Sequence, residues 1–162
     1  MGSDRIERKI LLRASRQRVW RALSDSAEFG SWFGVKFEGP FLADTRVCGV
    51  SAPTKTDAAV ATAQKKYEGT PFTITIEQMQ PERLFSFRWH PYAVEAGRDY
   101  SNEPTTLVVF TLEEVAEGVM LTVTESGFDQ VPLDRRAKAF TANEEGWSIV
   151  INLLEKHLLH AP

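Results

Sequence analysis

Two polar residues, Glu125 and Asn143, fall where the surrounding pattern calls for apolar ones. Glu125 continues the alternation of Val119, Leu121 and Val123, so an unbroken strand turns its carboxylate to the same side as those side chains. A strand that ends or twists first leaves it in water at the sheet edge. A buried carboxylate is costly unless it is hydrogen-bonded or paired, and such groups gather at functional sites. Asn143 lies on an apolar stripe between Phe140 and Trp147, either to anchor a ligand's polar group or to satisfy a strand backbone. Glu144 borders the same face. Trp32, Phe33, Trp89, Phe110 and Trp147 are candidates to line an apolar pocket beside that polar end, with plain core packing as the alternative. The two differ in whether a cavity of about 300 Å³ or more remains. His90, Tyr92 and Tyr100 lie at the start of and within a loop, at the expected pocket mouth, placed to gate it or supply a proton.

Other chemistries find no footing in the sequence. His90, His157 and His160 show no metal-ligand spacing, and one cysteine, Cys48, cannot build a zinc or iron–sulfur site. There is no Gly-rich phosphate loop, dinucleotide fingerprint or nucleophile elbow, so no cofactor, metal or catalytic residue is assigned. Arg16, Arg18, Arg21 and Arg135-Arg136 read as solvated helix faces.

The elements that must position these residues follow from periodicity. Pro132 to His160 reads as a single long helix, with Phe140, Asn143, Trp147, Val150, Ile151, Leu154 and Leu158 on one face. At 1.5 Å per residue such a helix is about 40 Å long, and a domain of this size covers its stripe only by wrapping a broad sheet around it. Arg5 to Arg13 alternates as a first strand. Ser15 and Asp25 are N-cap candidates for two short helices carrying Val19, Trp20 and Leu23, then Phe29, Trp32 and Phe33, with Gly34 as the stop. Val35 to Phe37, Thr45 to Val50, Phe72 to Glu77, Phe85 to Trp89, Thr106 to Leu112 and Val119 to Ser126 read as further strands. Ser51 to Lys66 is an excursion whose alanine-rich part suits a helical turn, and Tyr92 to Pro104 is a loop. The expected class is α+β: a curved antiparallel sheet of about six to seven strands around the C-terminal helix, with two short helices after the first strand.

The 162 residues favour a single domain over 1–162, with 43% hydrophobic and 25% charged residues. A net charge of −3 argues against non-specific nucleic-acid or anionic-membrane partners. No apolar run approaches spanning length, the charged N-terminus lacks the apolar core of a signal peptide, and a lone cysteine fits a reducing compartment, so a cytoplasmic location is expected.

The order of elements and several local motifs resemble the START-like, helix-grip (SRPBCC) superfamily, and within it the family of activators of heat-shock-protein ATPase. The resemblance rests on Ala14 to Leu23, Trp32-Phe33, Phe87 to Pro91, Leu121 to Phe128 and Gly146-Trp147. Fold likeness of this kind does not specify an activity. Three functions are expected in descending order. The first is non-enzymatic binding of a small hydrophobic or aromatic ligand between sheet and helix, its polar end near Glu125 and Asn143. The second is an enzyme using the same space, with Glu125 as acid or base. The third, implied by the family name, is regulation of a chaperone ATPase; the separate N-terminal domain that better-known activators use is not in this chain. A homodimer through a sheet edge or face is compatible with the sequence, which does not decide it.

Overall fold

The computed structural model describes residues 5–92 and 99–160. Its elements are β1 (Arg5–Leu12), α1 (Arg16–Ser24), α2 (Ser26–Phe33), β2 (Val35–Phe37), β3 (Arg46–Ser51), α3 (Ala58–Gln64), β4 (Pro71–Gln80), β5 (Leu84–Trp89), β6 (Thr106–Val115), β7 (Gly118–Ser126) and α4 (Leu133–His160). The seven strands form one antiparallel sheet in the order β1-β7-β6-β5-β4-β3-β2. The first strand in sequence therefore pairs with the last, and the expected helix-grip arrangement is the one observed.

Alternation decides which side of each strand the helices cover. Ile6 and Leu12 on β1, Val119, Leu121 and Val123 on β7, Val108 and Phe110 on β6, and Phe85 and Phe87 on β5 are all buried on the concave face. Each large side chain buried in this way contributes about 1.5–3 kcal/mol. From α4 the buried set is Arg135, Ala139, Trp147, Ile151, Leu153, Leu154 and Leu158. Four-residue steps run from Arg135 through Ala139, Asn143 and Trp147 to Ile151, so one helical stripe meets the sheet.

The two short helices are fixed by capping. Ser15 Oγ accepts from the Arg18 amide, and Asp25 ends α1 while its carboxylate accepts from the amides of Ala27 and Glu28 to start α2. Gly34, at φ 104°, closes α2 in the left-handed conformation that glycine adopts without strain. At Gly30 a side chain is excluded, since a Cβ would come within 2.1 Å of the Val35 carbonyl oxygen.

The Ser51–Lys66 excursion does contain a short helix, α3, capped by Asp57, and a 3₁₀ turn over Lys65–Tyr67. It is docked onto the end of α2. Thr54 donates to the carbonyl of Trp32, Lys55 N–H to that of Ser31, and Gln64 Nε2 to that of Phe33. Lys156 reaches Asp57 at 2.5 Å and ties the excursion to α4.

Candidate functional site

The polar centre of the fold is Glu125, which is 0% exposed. On β7 it lies between Ile6 of β1 and Val108 of β6, in phase with the buried valines and leucines, so the strand does not end before it. Four neutral side chains converge on its carboxylate. Oε1 accepts from Trp147 Nε1 at 2.8 Å and from Asn143 Nδ2 at 2.9 Å. Oε2 accepts from Thr106 Oγ1 at 2.5 Å, Trp89 Nε1 at 2.7 Å and Asn143 Nδ2 at 3.1 Å. The two indole N–H groups and the amide NH₂ can only donate and the Thr106 hydroxyl can donate or accept, a donor-rich set complementary to a carboxylate. Among the described residues no Lys, Arg or His is ion-paired with Glu125.

Three elements supply these donors. Trp89 ends β5 and pairs with Thr106 at the start of β6, which brings their side chains together on the concave face. Asn143 and Trp147 are one helical step apart on α4. Glu125 thus joins the sheet to the helix. It also holds two indoles nearly parallel, with centroids 5.7 Å apart and planes 29° apart.

Around this centre the rings sort by exposure. Phe110 is fully buried and meets Trp147 edge-on at 5.8 Å. Phe33, Phe72 and Trp89 are half-buried and touch one another, at 5.9 Å between Phe33 and Phe72, 5.7 Å between Phe72 and Trp89, and 6.1 Å between Phe33 and Trp89. Phe33 also reaches Trp147 at 6.5 Å. Together the three half-buried rings form a continuous aromatic cluster, joined to the carboxylate through the Trp89 indole N–H.

Of the residues singled out from sequence, Phe33, Trp89, Phe110, Glu125, Asn143 and Trp147 are brought together. Trp32 meets Phe33 edge-on at 5.9 Å but has no bond to the Glu125 centre: it is fully buried, and its indole donates 3.0 Å to the carbonyl of Ala22, fastening α2 to α1. Glu144 turns away to Arg8, which also donates to its carbonyl and to Ser148. Thr106 and Phe72 were not singled out. Thr106 carries a signal, being in phase with Val108 and Phe110. Phe72 carries one too, in phase with Ile74 and Ile76, but only the sheet order brings it beside Trp89.

The three mouth residues go to different places. His90 Nε2 lies 2.9 Å from the Glu103 carbonyl oxygen. Tyr92, at φ 52°, is exposed and lines an open groove with Ala137, Lys138, Thr141, Ala142 and Glu145 on the outer side of α4. Tyr100 lies under the Arg135 guanidinium, 4.7 Å from its centroid. The rest of the loop between Tyr92 and Asp99 lies outside the described residues.

The reading of the arginines as solvated requires correction at two positions. Arg135 occupies the buried stripe; its guanidinium donates to Glu103 Oε1 at 2.8 and 3.0 Å and to the Tyr92 carbonyl at 3.0 Å. Arg18 approaches Glu28 at 2.5 Å, where His157 Nε2 of α4 also lies 2.7 Å away and Arg21 3.2 Å away. Burial pushes the Glu28 carboxyl up, but hydrogen bonds from His157 and Arg18 and their charges outweigh it and hold the group below its ordinary value. In both cases the helix faces another element where the sequence alone suggested water.

Among the described residues no group of His, Cys, Asp or Glu side chains is arranged to hold a metal ion, and no helix is long and apolar enough to cross a membrane.

Comparison with known proteins agrees with this geometry. The family model described as "Activator of Hsp90 ATPase homolog 1-like protein" matches residues 13–158, and the chain belongs to that family. That membership points to a ligand-binding or regulatory role. Among solved structures, protein MLL2253 from Mesorhizobium loti aligns with a TM-score of 0.71 at 18% identity, over 98% of both chains. A protein from Arthrobacter aurescens aligns with a TM-score of 0.71 at 15% identity, over 98% of this chain and 88% of the other. DynU16, a putative protein in the dynemicin biosynthetic locus, aligns with a TM-score of 0.66 at 21% identity, over 96% of this chain and 47% of the other. At these identities the likeness is one of fold. No functionally curated protein matches.

Proposed function

We propose that this member of the family binds a small apolar or aromatic molecule between the C-terminal helix and the sheet, on the floor formed by Phe33, Phe72 and Trp89. The observation that carries the reading is that these three rings touch one another, stay half-buried, and adjoin a fully buried polar centre. Covering them would contribute about 25 cal/mol per Å² of apolar surface, less the cost of ordering the guest.

Glu125 acts here as a positioning residue. Its two oxygens already receive five hydrogen bonds, which use the lone pairs a carboxylate offers in its plane. It orients the two indoles, so that the ring faces rather than the carboxylate meet the guest. The Asn143 amide, with its nitrogen committed to Glu125, has its Oδ1 available to accept from a hydroxyl or amine of the guest. No proton transfer is assigned to any group.

The test uses N-phenyl-1-naphthylamine, a neutral dye that fluoresces in apolar surroundings. Saturable emission, displaced by 4-tert-butylphenol and weakened about tenfold in Phe72→Ala with the melting transition retained, is the expected result. Emission that never saturates, or wild-type affinity in both Phe72→Ala and Phe33→Ala, would overturn the reading.

A further inference from the structure

We infer that the guest at this floor is an organic cation, an ammonium or other nitrogen cation carried on an apolar or aromatic body. The inference rests on the binding site just proposed and names the chemistry it selects.

The first observation is a charge without a counter-charge. The other acidic side chains of low exposure meet cations: Glu103 has Arg135, and Glu28 has Arg18, Arg21 and His157. Glu125, the most deeply buried of the three, is surrounded only by the hydroxyl of Thr106, the amide of Asn143 and two indole N–H groups. These dipoles satisfy its hydrogen bonds but leave its net charge in place, and in a poorly solvated interior that charge is weakly screened.

The second observation is the character of the surface in front of it. Phe33, Phe72 and Trp89 are three touching rings, and Trp147 stacks behind Trp89. An aromatic face carries the negative side of the ring quadrupole and attracts cations, tryptophan most strongly. Both indoles give their N–H to Glu125, which pushes electron density into the rings and deepens that attraction. Carboxylate and ring faces therefore act with the same sign. They favour a cation over its neutral isostere and disfavour an anion.

The hydrogen-bond accounting sharpens the class. Glu125 has no acceptor site left in its plane for a new donor, so the cation needs no N–H of its own. A quaternary ammonium, bulky and weakly hydrated, suits a floor of rings better than a compact primary ammonium that would lose its water shell without replacement bonds.

The test compares three soluble 4-substituted phenols on the wild-type chain, by displacement of the neutral dye: 4-hydroxyphenyl-trimethylammonium, its neutral isostere 4-tert-butylphenol, and the anion 4-hydroxybenzoate. The expected result is that the ammonium binds at least about tenfold more tightly than the tert-butyl compound, with the benzoate weakest. Equal or tighter binding of 4-tert-butylphenol overturns the cation inference while leaving the binding site standing; tighter binding of the benzoate does the same. Binding by none of the three overturns both. In Glu125→Gln the ratio of the ammonium's affinity to that of 4-tert-butylphenol should shrink; an undiminished ratio overturns the role given to the carboxylate. Should that variant fail to fold, the wild-type comparison decides alone.

Discussion

The indole N–H groups of Trp89 on the sheet and Trp147 on the helix are bound to different oxygens of one carboxyl group, which sets their rings 5.7 Å apart and 29° from parallel. Each indole reaches the centre from a different layer. The junction between β5 and α4 therefore depends on a residue that belongs to neither, Glu125 of β7.

An isosteric change at that residue tests the junction. In Glu125→Gln one carboxyl oxygen becomes an NH₂ group, and either orientation points at least one of its hydrogens at an N–H group that only donates. Oε1 faces Asn143 and Trp147, and Oε2 faces Trp89 and Asn143 as well as Thr106. The expected loss is about 1–3 kcal/mol for each donor left unsatisfied, seen as a lower urea midpoint at constant slope. An unchanged midpoint would mean that the carboxylate is not stitching the layers together.

The two tryptophans should contribute through different parts of the side chain. Trp147→Phe keeps a ring against Phe110 and Trp89 but removes one donor from Oε1, and is expected to cost about 1–2 kcal/mol. The near-ultraviolet circular dichroism from the indole pair should fall in Trp147→Phe and in Trp89→Phe alike, because the signal belongs to the pair. Trp20→Phe, remote from it, should retain the signal.

Arg135 and Glu103 form a shielded ion pair, with side chains 7% and 12% exposed. Removing one partner of a shielded ion pair strands the other, so a double-mutant cycle with Arg135→Met and Glu103→Gln should give a coupling of about 1–3 kcal/mol. A coupling near zero would mean that the pair adds nothing beyond the packing of its two side chains.

Acid should loosen the helices around Glu28. Its carboxyl titrates below the ordinary value of 4.5 in the folded chain, so folding favours the ionised form. The stabilisation is complete above 4.5 and is lost as pH falls through the lower folded value. Wild type should thus exceed Glu28→Gln in stability at neutral pH by a margin that narrows below 4.5. A margin independent of pH would show that His157 and Arg18 do not favour the charged form.

The architecture was legible in the sequence because its two periods are clear: alternation in the strands and a four-residue step in α4. The orientation of Glu125 and of Asn143 follows from those same periods. What periodicity does not carry is the partner across a layer. Trp32 and Phe33 are adjacent, yet one fastens α2 to α1 and the other joins the floor, because neighbours on a helix point about 100° apart. Phe72 becomes part of the site only through the order in which β4 and β5 pair. Arg135 lies in step with Ala139, Asn143 and Trp147, and charge alone disguised that phase.

The central claim, a guest on the floor of Phe33, Phe72 and Trp89, is tested most directly by the four indole N–H resonances during a titration with 4-hydroxyphenyl-trimethylammonium. The account predicts saturable shifts for Trp89 and Trp147 at one common affinity, while Trp32, bonded to Ala22, and Trp20 stay in place. Four stationary resonances, or shifts confined to Trp20 and Trp32, would contradict it.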